Sequence, residues 1–185
     1  GYVYFTSARP GHYRVYSQPN SAMWCCVGTG MENHGKYGQF IYTHSGDDLQ
    51  VNLFIPSRLN WKEKGVTLTQ ETQFPDSETS RITINTEKGK SKKFNLKLRH
   101  PDWTDGMTIT VNGKEVKFDA QPHKYVSIDR KWKDGDVVEL TMPMSVRVEE
   151  MPNVPEYLSI MRGPIVLGAK YSTDDLNGLV GDDSR

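Results

Sequence analysis

Apolar and polar residues alternate in short runs along most of this chain, and turn residues punctuate the runs. Leu49-Gln50-Val51-Asn52-Leu53-Phe54-Ile55 alternates and stops at Pro56. Val66 to Thr72, Arg81 to Thr86 and Phe94 to Arg99 repeat the pattern, each placing apolar side chains on one face as a half-buried strand requires. Between Met107 and Phe118, Asn112-Gly113 supplies the two positive φ angles of a type I′ turn, which predicts a hairpin. Tyr125 to Ile128 and Val137 to Met142 read as a second pair joined across Asp134-Gly135. Tyr157 to Met161 and Ile165 to Leu167 read as a third, around Arg162-Gly163-Pro164. So many strands with one apolar face each predict an antiparallel β-sandwich.

The first 45 residues break this pattern. They are rich in Gly, Tyr, His and Ser, and they hold the one convincing helix signal. Thr29-Gly30-Met31-Glu32 reads as a capping box, in which Thr29 and Glu32 satisfy each other's backbone N–H groups. Met31, His34, Gly38 and Ile41 continue at helical spacing, and Ser45-Gly46-Asp47-Asp48 ends the segment with turn residues. The predicted organisation is a first region over residues 1–45, a β-sandwich over 46–171 and a frayed tail over 172–185.

Composition narrows the function. Of 185 residues, 36% are hydrophobic and 25% charged, the balance of a folded domain. Lys+Arg and Asp+Glu number 23 each, so there is no basic excess to displace the counterions of a nucleic acid. No apolar run is long enough to span a bilayer. The opening Gly1-Tyr2-Val3-Tyr4-Phe5 has no initiator Met and reads as a start inside a longer polypeptide, so no compartment can be read from it.

The two cysteines, Cys25 and Cys26, are adjacent. One peptide unit holds their Cα atoms too close for ordinary disulfide geometry. A thiol pair beside a helix N-terminus favours thiolate, and a thiolate is both a nucleophile and a soft ligand for zinc. Gly28 and Gly30 leave room for close backbone approach. Two cysteines cannot complete a tetrahedral site, and the spacings of His12, His34 and His44 match no standard zinc pattern. The residues alone therefore leave two readings open, a reactive or metal-binding pair and a pair of buried thiols. Trp61, Trp103 and Trp132 read as core rather than as a sugar-stacking platform, Lys88 to Lys93 as a solvated hairpin tip, and Glu149-Glu150 as a surface pair.

Several segments together carry a resemblance. They are Tyr13-Arg14-Val15-Tyr16-Ser17, Trp24-Cys25-Cys26-Val27-Gly28-Thr29-Gly30-Met31-Glu32-Asn33, Lys36-Tyr37, Ile41-Tyr42 and Val51-Asn52-Leu53-Phe54-Ile55-Pro56-Ser57. Arg99-His100-Pro101-Asp102-Trp103 and Arg162-Gly163-Pro164-Ile165-Val166-Leu167 support them. The whole resembles glycoside hydrolase families 127 and 146, the β-L-arabinofuranosidase clan, and Gly-Thr-Gly-Met-Glu-Asn is closer in form to family 146.

The resemblance implies a mainly β chain: an antiparallel β-sandwich preceded by a loop and one short α-helix left from an (α/α)6 barrel. Residues 1–45 would be the end of that catalytic barrel, and the sandwich would pack on the part of it that this chain lacks. It implies a zinc ion held by one Glu and three Cys, with Cys25 and Cys26 as two of the ligands. Cys25 is then the nucleophile, attacking the anomeric carbon of a terminal arabinofuranose with retention of configuration. The third Cys, the Glu ligand and the acid/base Glu have no counterpart here, so zinc belongs to the full-length protein and the chain alone should carry none and be inactive. His12, Tyr13 and Tyr16 are candidates to line the sugar pocket. The implied partner is a carbohydrate, an arabinofuranoside, and the implied compartment is the periplasm or the exterior. A non-catalytic carbohydrate-binding or structural sandwich is the alternative, and it predicts a flat exposed row of Trp or Tyr.

Overall fold

The computed structural model describes residues 13–14, 25–104, 106–170 and 180–181, with Tyr13, Arg14, Cys25, Val180 and Gly181 described by backbone alone. In chain order the elements begin with β1 (Tyr13–Arg14), helix α1 (Cys25–Phe40), β2 (Tyr42–Ser45), β3 (Asp48–Val51) and β4 (Ser57–Trp61). Then come β5 (Val66–Thr72), β6 (Thr79–Thr86), β7 (Lys92–Arg99), β8 (Thr108–Val111) and β9 (Lys114–Glu115). The last are β10 (Tyr125–Trp132), β11 (Asp136–Thr141), β12 (Val146–Met151), β13 (Val154–Arg162), β14 (Ile165–Val166) and β15 (Val180–Gly181). The described residues fall into two compact units, one of residues 39–167 and one of the stretches before 39 and after 167.

The larger unit is a β-sandwich with a small sheet appended. Its four-stranded sheet runs β10-β7-β3-β2 and its six-stranded sheet β4-β5-β6-β11-β8-β9. Alternation decides which face is inward. Phe94, Leu96 and Leu98 of β7 point into the same core as Val66 and Leu68 of β5 and Ile82 and Ile84 of β6. Leu49 and Val51 of β3 and Val138 and Leu140 of β11 join them. All pairings in both sheets are antiparallel except β3 with β7, which run parallel, Leu49 beside Leu96. Tryptophan fills the core rather than the surface. Trp132 is fully buried, stacks on Phe94 and donates its indole N–H to the Phe94 carbonyl at 3.1 Å. Trp61 is buried edge-on to Phe94, and half-buried Trp103 stacks on Phe74.

The Asn112-Gly113 turn forms as predicted, with φ of 51° and 74°. Asn112 also serves the neighbouring turn: its amide donates to buried Asp136 at 2.9 Å and accepts from the Val137 N–H at 2.9 Å. The small sheet has the order β12-β13-β14. Its turn at Arg162-Gly163-Pro164 lies against the sandwich. Gly163 has φ of 53°, and a Cβ there would meet the Met144 Cγ at 2.7 Å, so glycine is required on both counts. Glu78 accepts from the Met144 N–H at 3.0 Å and from Arg162 at 3.4 Å.

Five expectations are corrected. The helix starts at Cys25, not at Thr29, so Thr29 and Glu32 are interior residues rather than a capping box. Val27, in that earlier turn, is buried. Residues 41–45 leave the helix, and β2 pairs with β3 across a turn at Gly46, whose φ is 57°. The run Leu49 to Ile55 is not one strand: β3 ends at Val51, and the chain turns before β4. Finally, β10 and β11 do not pair with each other. β10 lies beside β7 in one sheet, and β11 lies between β6 and β8 in the other. The Lys88 to Lys93 stretch likewise links β6 to β7 across the two sheets instead of capping a hairpin. The segment 172–185, predicted to fray, lies outside the described residues apart from the backbone of β15.

Candidate active site at the cysteine pair

The sequence Cys-Cys-Val-Gly-Thr-Gly-Met-Glu-Asn-His-Gly-Lys-Tyr-Gly-Gln-Phe makes α1 an unusual helix. Four of its sixteen residues are glycine, each about 1 kcal/mol poorer than alanine in a helix interior. Its first turn has no acidic residue and its last turn no basic one. Tyr37 accepts a hydrogen bond from the Asn33 amide one turn earlier, at 2.8 Å, and sits edge-on to His34. Beyond Val27 and half-buried Gly28, its described side chains are exposed, apolar Met31, Tyr37 and Phe40 among them. A Cβ added at Gly28, Gly30, Gly35 or Gly38 would meet nothing within 4 Å. The close approach expected at Gly28 and Gly30 is therefore not made by any described part of this chain.

The cysteine pair occupies the first turn of α1 rather than the loop before it. The first turn is where a helix's unpaired N–H groups and the positive end of its dipole act, an environment that favours thiolate. Cys26 is exposed and opens onto a shallow hollow with Thr29, Gly30, Glu32, Asn33 and Lys36. Soft sulfur donors suit zinc, but among the described residues no three His, Cys, Asp or Glu side chains come together. The pair can be at most half of a tetrahedral shell. His34 stays beside Tyr37 on the helix, and His44 lies against Trp61 with ring centroids 5.5 Å apart. The side chain of Cys25 lies outside the described residues, as do His12 and Tyr16. Tyr13 is described by its backbone in β1, which pairs parallel with β15.

The predicted surface groups lie as simple surface chemistry. Glu149 accepts from Arg147 on β12, and Glu87 pairs with Lys90 in the solvated link between sheets. No flat row of exposed tryptophan occurs among the described residues, since Trp61 and Trp132 are core and Trp103 lies on Phe74. Among the described residues no helix is long and apolar enough to cross a membrane.

Two buried polar residues were not singled out from sequence. Asn52, 2% exposed, sits at the end of β3 among hydrogen-bond partners from four segments. His100 is buried, with Nδ1 2.9 Å from the Ala120 carbonyl and Nε2 3.0 Å from the Thr104 carbonyl, tying two loops together. The available signal for Asn52 was a polar residue inside an apolar run that ends at proline.

Solved glycoside hydrolases share this fold. One, described simply as a glycoside hydrolase, is 34% identical over 78% of this chain and 25% of its own, with a TM-score of 0.68. Ara127N, a GH127 β-L-arabinofuranosidase from Geobacillus stearothermophilus T6, is 30% identical over 77% of this chain and 23% of its own, with a TM-score of 0.67. The GH127 β-arabinofuranosidase BT3674 is 28% identical over 77% and 25%, with a TM-score of 0.65. The chain thus spans about a quarter of the length of the structures it matches. No curated protein sequence matches it.

The family model of the β-L-arabinofuranosidase GH127 middle domain matches residues 48–144, just over half of the chain. That of the GH127 catalytic domain matches residues 1–39, and a domain of unknown function matches 147–185. The chain belongs to the GH127 β-L-arabinofuranosidase family.

Proposed function

We propose that the parent protein is a retaining, exo-acting β-L-arabinofuranosidase of plant arabinose-containing glycans, exported to the periplasm or beyond, and that this chain supplies its nucleophile. The observation that carries the reading is the adjacent pair Cys25-Cys26 in the first turn of a helix, within the stretch that matches the GH127 catalytic domain. The exposed apolar residues of α1 and its four uncrowded glycines support it, because they suit a helix covered by a larger body.

In this reading the Cys25 thiolate attacks the anomeric carbon of a terminal arabinofuranose. The glycosidic C–O bond breaks while a Glu from the rest of the parent protein gives its proton to the leaving oxygen. The same Glu then takes a proton from water, whose oxygen attacks that carbon from the opposite face. The C–S bond breaks, the thiolate returns, and two inversions leave the configuration retained. His12, Tyr13 and Tyr16 line the sugar pocket. Cys25 and Cys26 would hold a zinc ion together with ligands from outside this chain. When bound, the ion supplies positive charge that favours thiolate at neutral pH.

The test is hydrolysis of an aryl β-L-arabinofuranoside by the parent protein. Cys25→Ala is expected to lower kcat by about a thousandfold or more, since the covalent route is lost. The 185-residue chain alone, supplied with zinc, is expected to be inactive. Unchanged turnover in Cys25→Ala rejects the reading.

A further inference from the structure

Val51-Asn52-Leu53-Phe54-Ile55-Pro56-Ser57 is a motif to which the proposed chemistry assigns no task. Val51 and Phe54 are accounted for by the core. Asn52 is not, because a polar side chain at 2% exposure is retained only where its hydrogen bonds do something. Its Nδ2 donates to the Phe40 carbonyl and to Thr43 Oγ1, both at 3.1 Å. Its Oδ1 accepts from the Tyr125 hydroxyl at 2.6 Å. Thr43 itself donates to Gln50 at 2.6 Å, so its oxygen must accept from Asn52, which fixes the orientation of the amide. The backbone is equally committed: the Asn52 N–H donates to the Ile41 carbonyl at 2.9 Å, and the Asn52 carbonyl accepts from Arg99 Nε at 2.8 Å.

These partners share a location. Phe40 is the last residue of α1, and its carbonyl is among the four that a helix leaves without an internal partner. Arg99 ends β7, Tyr125 begins β10, and Asn52 follows β3, so three adjacent strands of one sheet converge on the end of the helix. A single residue takes both the last helical carbonyl and the next one.

We propose that Asn52 is a positioning residue of the hydrolase, which fixes the last turn of the helix whose first turn carries Cys25 and Cys26. This rests on the reading of Cys25 as nucleophile. Sixteen residues of helix span about 24 Å, so a tilt of about 3° at the anchored end moves the other end by about 1 Å. A displacement of about 1 Å at a reacting group can lower the rate about a hundredfold. A buried polar hub of this kind contributes definition of geometry more than net stability.

The experiment uses the parent protein with an aryl β-L-arabinofuranoside and reads kcat, KM and Tm. Asn52→Ala is expected to lower kcat tenfold or more with KM within twofold, and Tyr125→Phe, which removes one hydroxyl, to lower kcat a few-fold. Asn112→Ala is the comparison, since it deletes two side-chain hydrogen bonds, one part-buried and one exposed, in the other sheet. It is expected to lower Tm as Asn52→Ala does while keeping kcat within twofold. Should Asn52→Ala fail to fold, Tyr125→Phe decides. Wild-type kcat in the Asn52 and Tyr125 variants, or an equal loss in Asn112→Ala, overturns the proposal. Cys25→Ala keeps the two readings apart: full activity there removes the nucleophile whatever Asn52 does, whereas loss there beside an intact Asn52→Ala removes only the positioning role.

Discussion

Leu68, Ile84, Leu96 and Leu140 of the sandwich have no exposed surface, while Phe40 at the end of α1 is 57% exposed and Val148 and Leu158 of the small sheet 57% and 56%. The same kinds of side chain meet opposite fates in one polypeptide. In the sandwich two sheets cover each other, and buffering charges sit outside. In the small sheet, Val148 and Ile160 are opposite each other on one face, with Val146 and Leu158 flanking them, and that face meets solvent. The sandwich covers its own apolar faces, and α1 and β12 to β14 are elements whose apolar surface exceeds what the described residues cover.

The comparison can be broken most decisively by paired truncations. In the 185-residue chain, Leu96→Ala is expected to destabilise by about 2–5 kcal/mol, because it removes buried carbon and leaves a cavity. Val148→Ala is expected to change stability by less than about 0.5 kcal/mol, since its side chain is already wet. Urea unfolding of both variants measures this, and equal losses would show that the small sheet is covered in solution. A smaller effect, of opposite sign, is expected in α1. Gly35→Ala should stabilise the helix by about 1 kcal/mol, seen as increased helical circular dichroism, because no atom of the described residues opposes the added methyl. A loss there would mean that a neighbour occupies the space.

The smallest effect concerns the sandwich's outer face. Hydrogen bonds from Lys97 and then Asn95 hold the Asp48 carboxyl below its ordinary range. A depressed folded-state pKa gives stability that is present above the unfolded value of about 4 and is lost as pH falls through the folded one. Asp48→Asn should therefore flatten the acid limb of the stability profile below about pH 4, by lowering stability slightly at neutral pH and leaving it unchanged at the acid end. Tyr42 has the opposite sense at the other end of the scale: burial raises its pKa, so its ionisation opposes folding above about pH 10.

What could be read from sequence follows from how local each cause is. β5 to β8 alternate cleanly, and the Asn112-Gly113 turn needs only its own two residues, so these were legible. β2, β4 and β12 were not, because Tyr-Thr-His-Ser, Ser-Arg-Leu-Asn-Trp and Val-Arg-Val-Glu-Glu-Met are short or polar and take strand geometry from their partners. The split of β10 and β11 between sheets was hidden, since a tight Asp-Gly turn suits a hairpin and a sheet crossing alike. The thiol pair was visible as chemistry, while its role came only from family likeness. Asn52 stayed invisible because its partners lie 9, 12, 47 and 73 residues away.

The parallel alignment of β3 with β7 has a consequence for the order of assembly. Parallel neighbours cannot be joined by a tight turn, and here the chain between them builds β4, β5 and β6 of the opposite sheet. That meander of adjacent antiparallel strands can zip locally, shortening the loop that must close before Leu49 finds Leu96. Refolding is thus expected to proceed through β4–β6 first, so substitutions at Leu68 should slow folding, whereas substitutions at Leu49 should mainly quicken unfolding.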